Sequence, residues 1–300
     1  MAQISDNMRG AALMTGAMVT FTINDSFTKT LGDVLPLSQL LCLRGLGVTV
    51  CLIIMARVMG QLRFDLSLRD WIIMLLRTAG EIGGAYFFIS ALFHMPIANV
   101  SAIMQVLPLS VSLAGALFMG EALGWRRLLA ILVGFGGVML IVRPGGADFN
   151  IFSLYALGAV ACVTLRDLIV RKLSRSVPSL MVSLAAAAGV TVFAGFVSLW
   201  DDWQPLNSHE AFNLAGATVF VIFGYIFSVA AMRVGEIGFV APFRYASLLT
   251  AMILGVVVFG EFPNSLTLIG AGIVVATGIF TLLREQRLSM KRRVVPDRIR

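Results

Sequence analysis

Ten mostly apolar runs of about twenty residues follow one another along the chain, separated only by short connectors, at 10–30, 35–56, 71–93, 97–119, 125–142, 152–170, 180–199, 211–232, 237–259 and 266–283. A helix needs roughly 20 residues to cross about 30 Å of hydrocarbon, so runs of this length fix lipid as the solvent. The composition agrees: of 300 residues 58% are hydrophobic and 13% charged, with a mean hydropathy of +0.91. A soluble domain carries roughly a quarter charged residues. A β-barrel would need short strands of alternating polarity, whereas these runs are continuously apolar. Cys42, Cys51 and Cys162 are odd in number and embedded in apolar runs, so they form no disulfide scaffold. The expected fold class is an all-α membrane protein.

The distribution of basic residues sets an expected orientation, because cytoplasmic connectors are enriched in Lys and Arg. With the N-terminus inside, the inner segments hold Arg9, Arg57, Arg63, Arg69, Arg126, Arg127, Arg171, Lys172, Arg175, Arg233 and the basic tail, and the outer connectors hold only Lys29 and Arg143. Asp201, Asp202 and Glu210, with Trp200 and Trp203, fall in an outer connector. Both termini are therefore expected in the cytoplasm, with the chain in the cell (inner) membrane. A net charge of +7 needs no nucleic-acid partner once its bias across the membrane is seen. The first run follows Arg9 as a secretory leader would, but Asn24 and Asp25 stand where small residues would mark cleavage, so it is read as a retained helix.

The chain also repeats itself. Thr22, Asp25 and Leu31 recur as Thr164, Asp167 and Leu173 at a shift of 142, and Gly47-Val48-Thr49-Val50 recurs as Gly189-Val190-Thr191-Val192. Gly115 and Gly120-Glu121 recur as Gly255 and Gly260-Glu261 at a shift of 140. Two copies of five helices are implied, over residues 8–145 and 150–285, followed by a basic tail at 286–300. An odd number of spans per copy inverts the second copy in the bilayer, and the charge bias of matching connectors flips accordingly. Inverted repeats are a recurring basis of alternating access in secondary transporters.

With its tandem five-helix repeat, each copy ending in a small-residue-rich helix preceded by Gly-Glu, the chain resembles the EamA branch of the drug/metabolite transporter superfamily. The resemblance covers roughly residues 8 to 285. It implies transport of a small molecule, with no cofactor. Family members resemble metabolite and amino-acid exporters, S-adenosylmethionine carriers and RibN-type riboflavin importers, and the chain as a whole looks nearest the riboflavin group.

Charged residues inside the runs mark the candidate site, since Arg or Asp at mid-helix costs roughly 2.5 to 3.5 kcal/mol unless it faces protein or water. Arg44 lies nine residues into its run, near the midplane, and its repeat counterpart is Ala186. Arg77 and Glu81, four apart, share a helix face. They form either a self-neutralising pair or, with Glu81 taking and releasing a proton, a coupling device. Arg166 corresponds to Asn24, each just before an Asp, and the two are expected to line the cavity from their helices. Asp25/Lys29 and Asp167/Arg171, also four apart, read as structural pairs near helix ends. In the fourth and ninth runs Gln105 and Pro108, and Pro242, Arg244 and Tyr245, put polar groups beside a proline kink, which either packs or lines a cavity. Tyr86, Phe87, Phe88, Tyr225 and Phe227 offer stacking surfaces. The expected substrate-binding set is Arg44, Arg77, Glu81, Tyr86, Gln105, Arg166, Arg244 and Tyr245. Ala130, Gly134, Gly272 and Ala276 form small-residue stripes, for scaffold packing or a homodimer contact.

A membrane-embedded enzyme is the alternative from another class, but the chain has only His94 and His209 and no HExxH, P-loop or GxSxG motif. The absence of a P-loop leaves an ion gradient or the substrate's own gradient to drive transport. The slight cationic excess within the runs suits a cargo with a carboxylate, phosphate or electron-rich ring, riboflavin first among them.

Overall fold

The structure is a computed structural model that describes residues 2–121, 123–145, 149–174 and 176–294. Arg175 and the end of the basic tail, 295–300, lie outside the described residues. The described residues are helical, without strands: α1 (Ala2–Thr30), α2 (Leu37–Val58), α3 (Leu68–His94), α4 (Ile97–Met104), α5 (Leu107–Met119), α6 (Trp125–Val142), α7 (Phe152–Val170), α8 (Ser179–Val197), α9 (Ser208–Val234), α10 (Ile237–Val240), α11 (Ala246–Phe259) and α12 (Ser265–Val294).

Local chemistry sets the ends. Pro36, Pro96 and Pro178 occupy N-caps, where a missing N–H does least harm. Asn207 and Glu210 close a capping box. The fourth and ninth runs are broken where proline was expected to kink them: α4 passes to α5 through Gln105 and Val106, and α10 passes to α11 through a 3-10 turn, Ala241–Tyr245, containing Pro242.

Nine spans among the described residues are long and apolar enough to cross a membrane. The helix outside that set, α1, has the length but carries more polar side chains. Thr22, Asn24, Ser26 and Thr28 are buried in the protein, and the Thr22 hydroxyl also donates to the Met18 carbonyl at 2.8 Å. Outward-facing Leu117, Phe118, Val192, Val257 and Phe262 are exposed, as a lipid-facing surface requires.

The helices pack crosswise between the two halves: α1 lies on α9, α7 on α3, α2 on α8 and α6 on α12. Small residues permit the approach. A Cβ on Gly47 would meet Thr218, and one on Gly189 would meet Thr78; a Cβ on Gly137 would come within 2.8 Å of the Gly270 carbonyl. The small residues of the last helix of each half are thus used within the chain at Gly134 and Gly137, while Gly272 faces open space.

Contacts between connectors fall into two sets at opposite ends of the bundle. At one end Ser38 donates to Asp201, Asn150 to the His94 carbonyl and Arg143 to Asn264. At the other, Asp70 accepts from the Ser174 N–H at 3.1 Å and Asn7 from the Glu236 N–H at 2.9 Å. The expected i,i+4 pairs Asp25/Lys29 and Asp167/Arg171 do not form. Lys29 and Arg171 reach across to Glu261 and Glu121 of the opposite half, and Asp167 pairs with Arg166. The long basic side chains find better-placed carboxylates on neighbouring elements than on their own helices.

Candidate functional site

In the interior, between α2, α3, α7, α8 and α9, lies a cavity of about 250 Å³ lined by Arg44, Arg77, Glu81, Arg166, Ser183 and Tyr225, with small apolar residues between them. Three guanidinium groups face one carboxylate. Arg166 Nη1 donates to both Glu81 oxygens at 3.0 Å, and Arg77 Nη2 lies 3.3 Å from Glu81 Oε2. Arg166 Nε donates to Asp167 at 3.0 Å, so Arg166 is held from both sides. Arg44 Nη1 donates to Asn24 at 3.2 Å, and Asn24 in turn donates to Asp25 at 2.9 Å. Arg77 Nη1 is buried with no protein partner. A buried donor left open is costly, and a ligand oxygen would satisfy it.

The lining is paired by the sequence repeat. Arg44 and Ala186, Leu41 and Ser183, Gly45 and Ala187, and Val48 and Val190 are 142 apart and line the same cavity; Glu81 and Val221, and Ala85 and Tyr225, are 140 apart and do likewise. Where one member is large or charged, its counterpart is mostly small or apolar. Ala186 opposite Arg44 and Ala85 opposite Tyr225 leave room for the larger partner. Beneath the cavity, Thr191 spends its hydroxyl proton on the Ala187 carbonyl at 2.7 Å, so Thr49 donates to Thr191, its own counterpart, at 3.2 Å.

A second pocket of about 510 Å³ adjoins the first, sharing Leu41 and Val190, and adds Tyr86, Phe193, Ser38 and Asp201. It opens toward the end of the bundle that carries Lys29 and Glu261. On the opposite side Val48, Leu52, Met74, Leu180 and Leu184 form a packed apolar cluster.

Of the eight expected residues, Arg44, Arg77, Glu81 and Arg166 line one cavity and Tyr86, 44% exposed, lines its neighbour. The other three lie elsewhere. Gln105 is buried and donates to Ser247 Oγ at 2.6 Å. Arg244 is exposed. Tyr245 is 6% exposed with its hydroxyl unpartnered, and that hydroxyl occupies the space a Cβ on Gly278 would take. The turn at Pro242 sets Tyr245 against α12 and leaves Arg244 at the surface, while the α4–α5 break directs Gln105 to α11 rather than into the cavity. Ser183 is an addition, and Asn24, expected with Arg166 to line the cavity, instead holds Arg44 from behind the lining. Ser183 carries no charge or motif that would have marked it in the sequence; only the packing of α8 against α2 brings it to the cavity.

The EamA-like transporter family matches residues 8–143 and 150–283, and the chain belongs to it. It is a multi-pass membrane protein of a transporter family. It is 32% identical to a riboflavin transporter of Vibrio cholerae serotype O1 over 73% of this chain and 74% of that protein. It is 25% identical to an S-adenosylmethionine uptake transporter of Rickettsia prowazekii, over 90% and 91% of the two chains. A solved crystal structure of another protein superposes with a TM-score of 0.63 over 93% of this chain and 98% of that one; at 20% identity this is a likeness of fold.

Proposed function

We propose that the chain is a secondary-active carrier that moves a small polar metabolite across the cell membrane by alternating access, with riboflavin as its cargo. The observation that carries the reading is the interior cavity with three guanidinium groups, one carboxylate and the open Arg77 Nη1. Such charges are expensive inside a membrane protein and are expected at a substrate path. Guanidinium donors suit the carbonyl oxygens of a flat polar ring system. Tyr225 beside them and Tyr86 in the adjoining pocket give it apolar faces. The cavity is smaller than the roughly 300–1,000 Å³ usual for a bound metabolite, so the cargo extends past Leu41 and Val190 into the adjoining pocket.

Two related halves inserted in opposite senses would supply the two conformations, one open to each side. Supporting this, counterparts line one cavity in pairs, Thr49 bonds to Thr191, and the contact of Gly47 with Thr218 is repeated by that of Gly189 with Thr78. A two-fold axis produces such reciprocal contacts. The orientation with both termini cytoplasmic agrees with the sorting of connector contacts into two ends, one of which carries most of the Lys and Arg.

Expression in a riboflavin auxotroph tests the cargo: the vitamin requirement should fall, and Arg77→Ala should raise it again part of the way to that of cells without the carrier. An unchanged requirement, with the protein present in the membrane, overturns riboflavin. S-adenosylmethionine is the second reading, favoured by the Rickettsia relative that matches nearly the whole chain. Its sulfonium would face three guanidinium groups, so it should fail to compete with riboflavin uptake.

A further inference from the structure

Glu81 lies between Arg166 and Arg77, at 3.0 and 3.3 Å, and Asp167 is 3.0 Å from Arg166. Asp25 is secured differently. Lys29, four residues on, is taken by Glu261 at 2.6 Å, and Asp25 has no ion pair among the described residues. What holds it is an amide. Asn24 Nδ2 donates to Asp25 Oδ1 at 2.9 Å and to the Phe21 carbonyl at 3.4 Å, while Asn24 Oδ1 accepts from Arg44 Nη1 at 3.2 Å. Asn24 is buried, Asp25 partly so, and Arg44 lines the cavity. Two hydrogen bonds thus link Asp25 to the cavity. The amide fits between them only one way round, because an ionised carboxylate only accepts and a guanidinium only donates.

The other ionisable groups around α1 are committed elsewhere. α3 presents Arg77 and Glu81, paired with each other, and the α11–α12 connector presents Glu261, paired with Lys29. α9 presents Tyr225, edge-on to Phe21 with ring centroids 5.5 Å apart. The 3-10 turn before α11 carries Arg244 at the surface, and α10 and α11 have no ionisable side chain. Arg44 of α2 is the charged group whose field reaches Asp25.

We propose that Asp25 is the site at which the carrier takes up and releases a driving proton, and that the Asn24 amide passes its protonation state to Arg44. This deepens the carrier reading above and rests on it. While Asp25 is ionised, the amide is fixed and Arg44 is held against α1. A proton taken from water converts the carboxylate to a carboxyl, whose O–H then meets the Asn24 NH2 group, donor against donor. Turning the amide over gives its oxygen to the carboxyl and its nitrogen to Arg44. Now that second pair is donor against donor, so Arg44 moves into the cavity and donates to an oxygen of the cargo. Charge balance agrees. Arg44, Arg77 and Arg166 are matched by Asp25, Glu81 and Asp167, so a proton on Asp25 leaves one guanidinium for the cargo to satisfy. Glu81 is unsuited to this part, because protonating it would leave Arg77 and Arg166 facing each other across a neutral group. Proton and cargo therefore favour each other's binding, and loss of the proton on the far side returns Arg44 to Asn24 and releases the cargo.

Riboflavin uptake by the purified protein in proteoliposomes tests the coupling. A gradient acid on the outside should concentrate riboflavin in the vesicles, and KM should fall about tenfold from alkaline to acid buffer, as one charge-assisted hydrogen bond gained by the cargo would give. Asp25→Asn, which cannot ionise, should exchange riboflavin across the vesicle wall without concentrating it, at a KM that does not vary with pH. If that variant is lost from the membrane, Asn24→Leu, which breaks the chain, should show the same pH-independent KM. Accumulation by Asp25→Asn, or a parental KM that ignores pH, overturns the proposal. A second measurement needs no cargo. Infrared difference spectra between acid and alkaline buffer should contain a buried carboxyl C=O band that Asp25→Asn removes and Glu81→Gln leaves. That band in a protein that fails to carry riboflavin upholds the proton site and removes only the cargo, and a difference spectrum unchanged by Asp25→Asn overturns the site.

Discussion

Arg77 holds one side of Glu81 while its Nη1 stays buried and open, which makes it the guanidinium with the most to gain from a ligand. Arg166 is already spent on Glu81 and Asp167, and Arg44 on Asn24. Arg77→Met, which keeps length and removes the donors, should raise the KM for uptake about tenfold, as loss of a charge-assisted hydrogen bond of about 1.4 kcal/mol would. Tyr245→Phe should leave KM unchanged and thermal stability equal or higher, since the hydroxyl it removes is buried without a partner. Concentration-dependent uptake and thermal unfolding of the purified variants check the contrast. The charged members of the cavity were legible because an ionised group in hydrocarbon has so few tolerable places. Gln105, Arg244 and Tyr245 were legible as unusual, but a proline kink rotates the helix beyond it by an amount that spacing does not encode.

At the scale of elements, α6 and α12 pack backbone to backbone at Gly137 and Gly270, while Gly272 on the same helix pair has no neighbour within 4 Å of a new Cβ. Gly137→Val should therefore destabilise the protein by about 1–3 kcal/mol, the usual result of overpacking a filled interface, whereas Gly272→Val should change thermal stability little. A change of oligomeric state in the Gly272 variant alone would place a dimer contact on that open face. The small-residue stripe announced close approach in the sequence. Which glycine meets which helix depends on crossing geometry, and the partner of α6 lies more than a hundred residues away.

Across the whole molecule, transport by rocking of one half against the other requires α2 and α8 to separate or slide where Thr49 meets Thr191. Thiols placed at these two hydroxyl positions, by Thr49→Cys with Thr191→Cys in a chain lacking the native cysteines, should cross-link on oxidation and stop uptake. Reduction should restore it. Continued uptake by the fully cross-linked protein would mean that the halves move elsewhere.

The sequence by itself determined the solvent, the helical class and the charges that needed shelter, because each of these follows from the cost of placing a polar group in lipid, and it determined the two related halves through residues that recur at a fixed shift. Tertiary structure alone decided who shelters whom. Lys29 and Arg171 each had an acidic residue four positions away on the same helix, yet both pair across the molecule with a glutamate of the opposite half. The reason is geometric: the packing of α11 on α1 and of α5 on α7 brings the glycine-turned carboxylate that follows each of these helices to the end of its partner. At that distance in sequence, only the fold can say that the two charges meet.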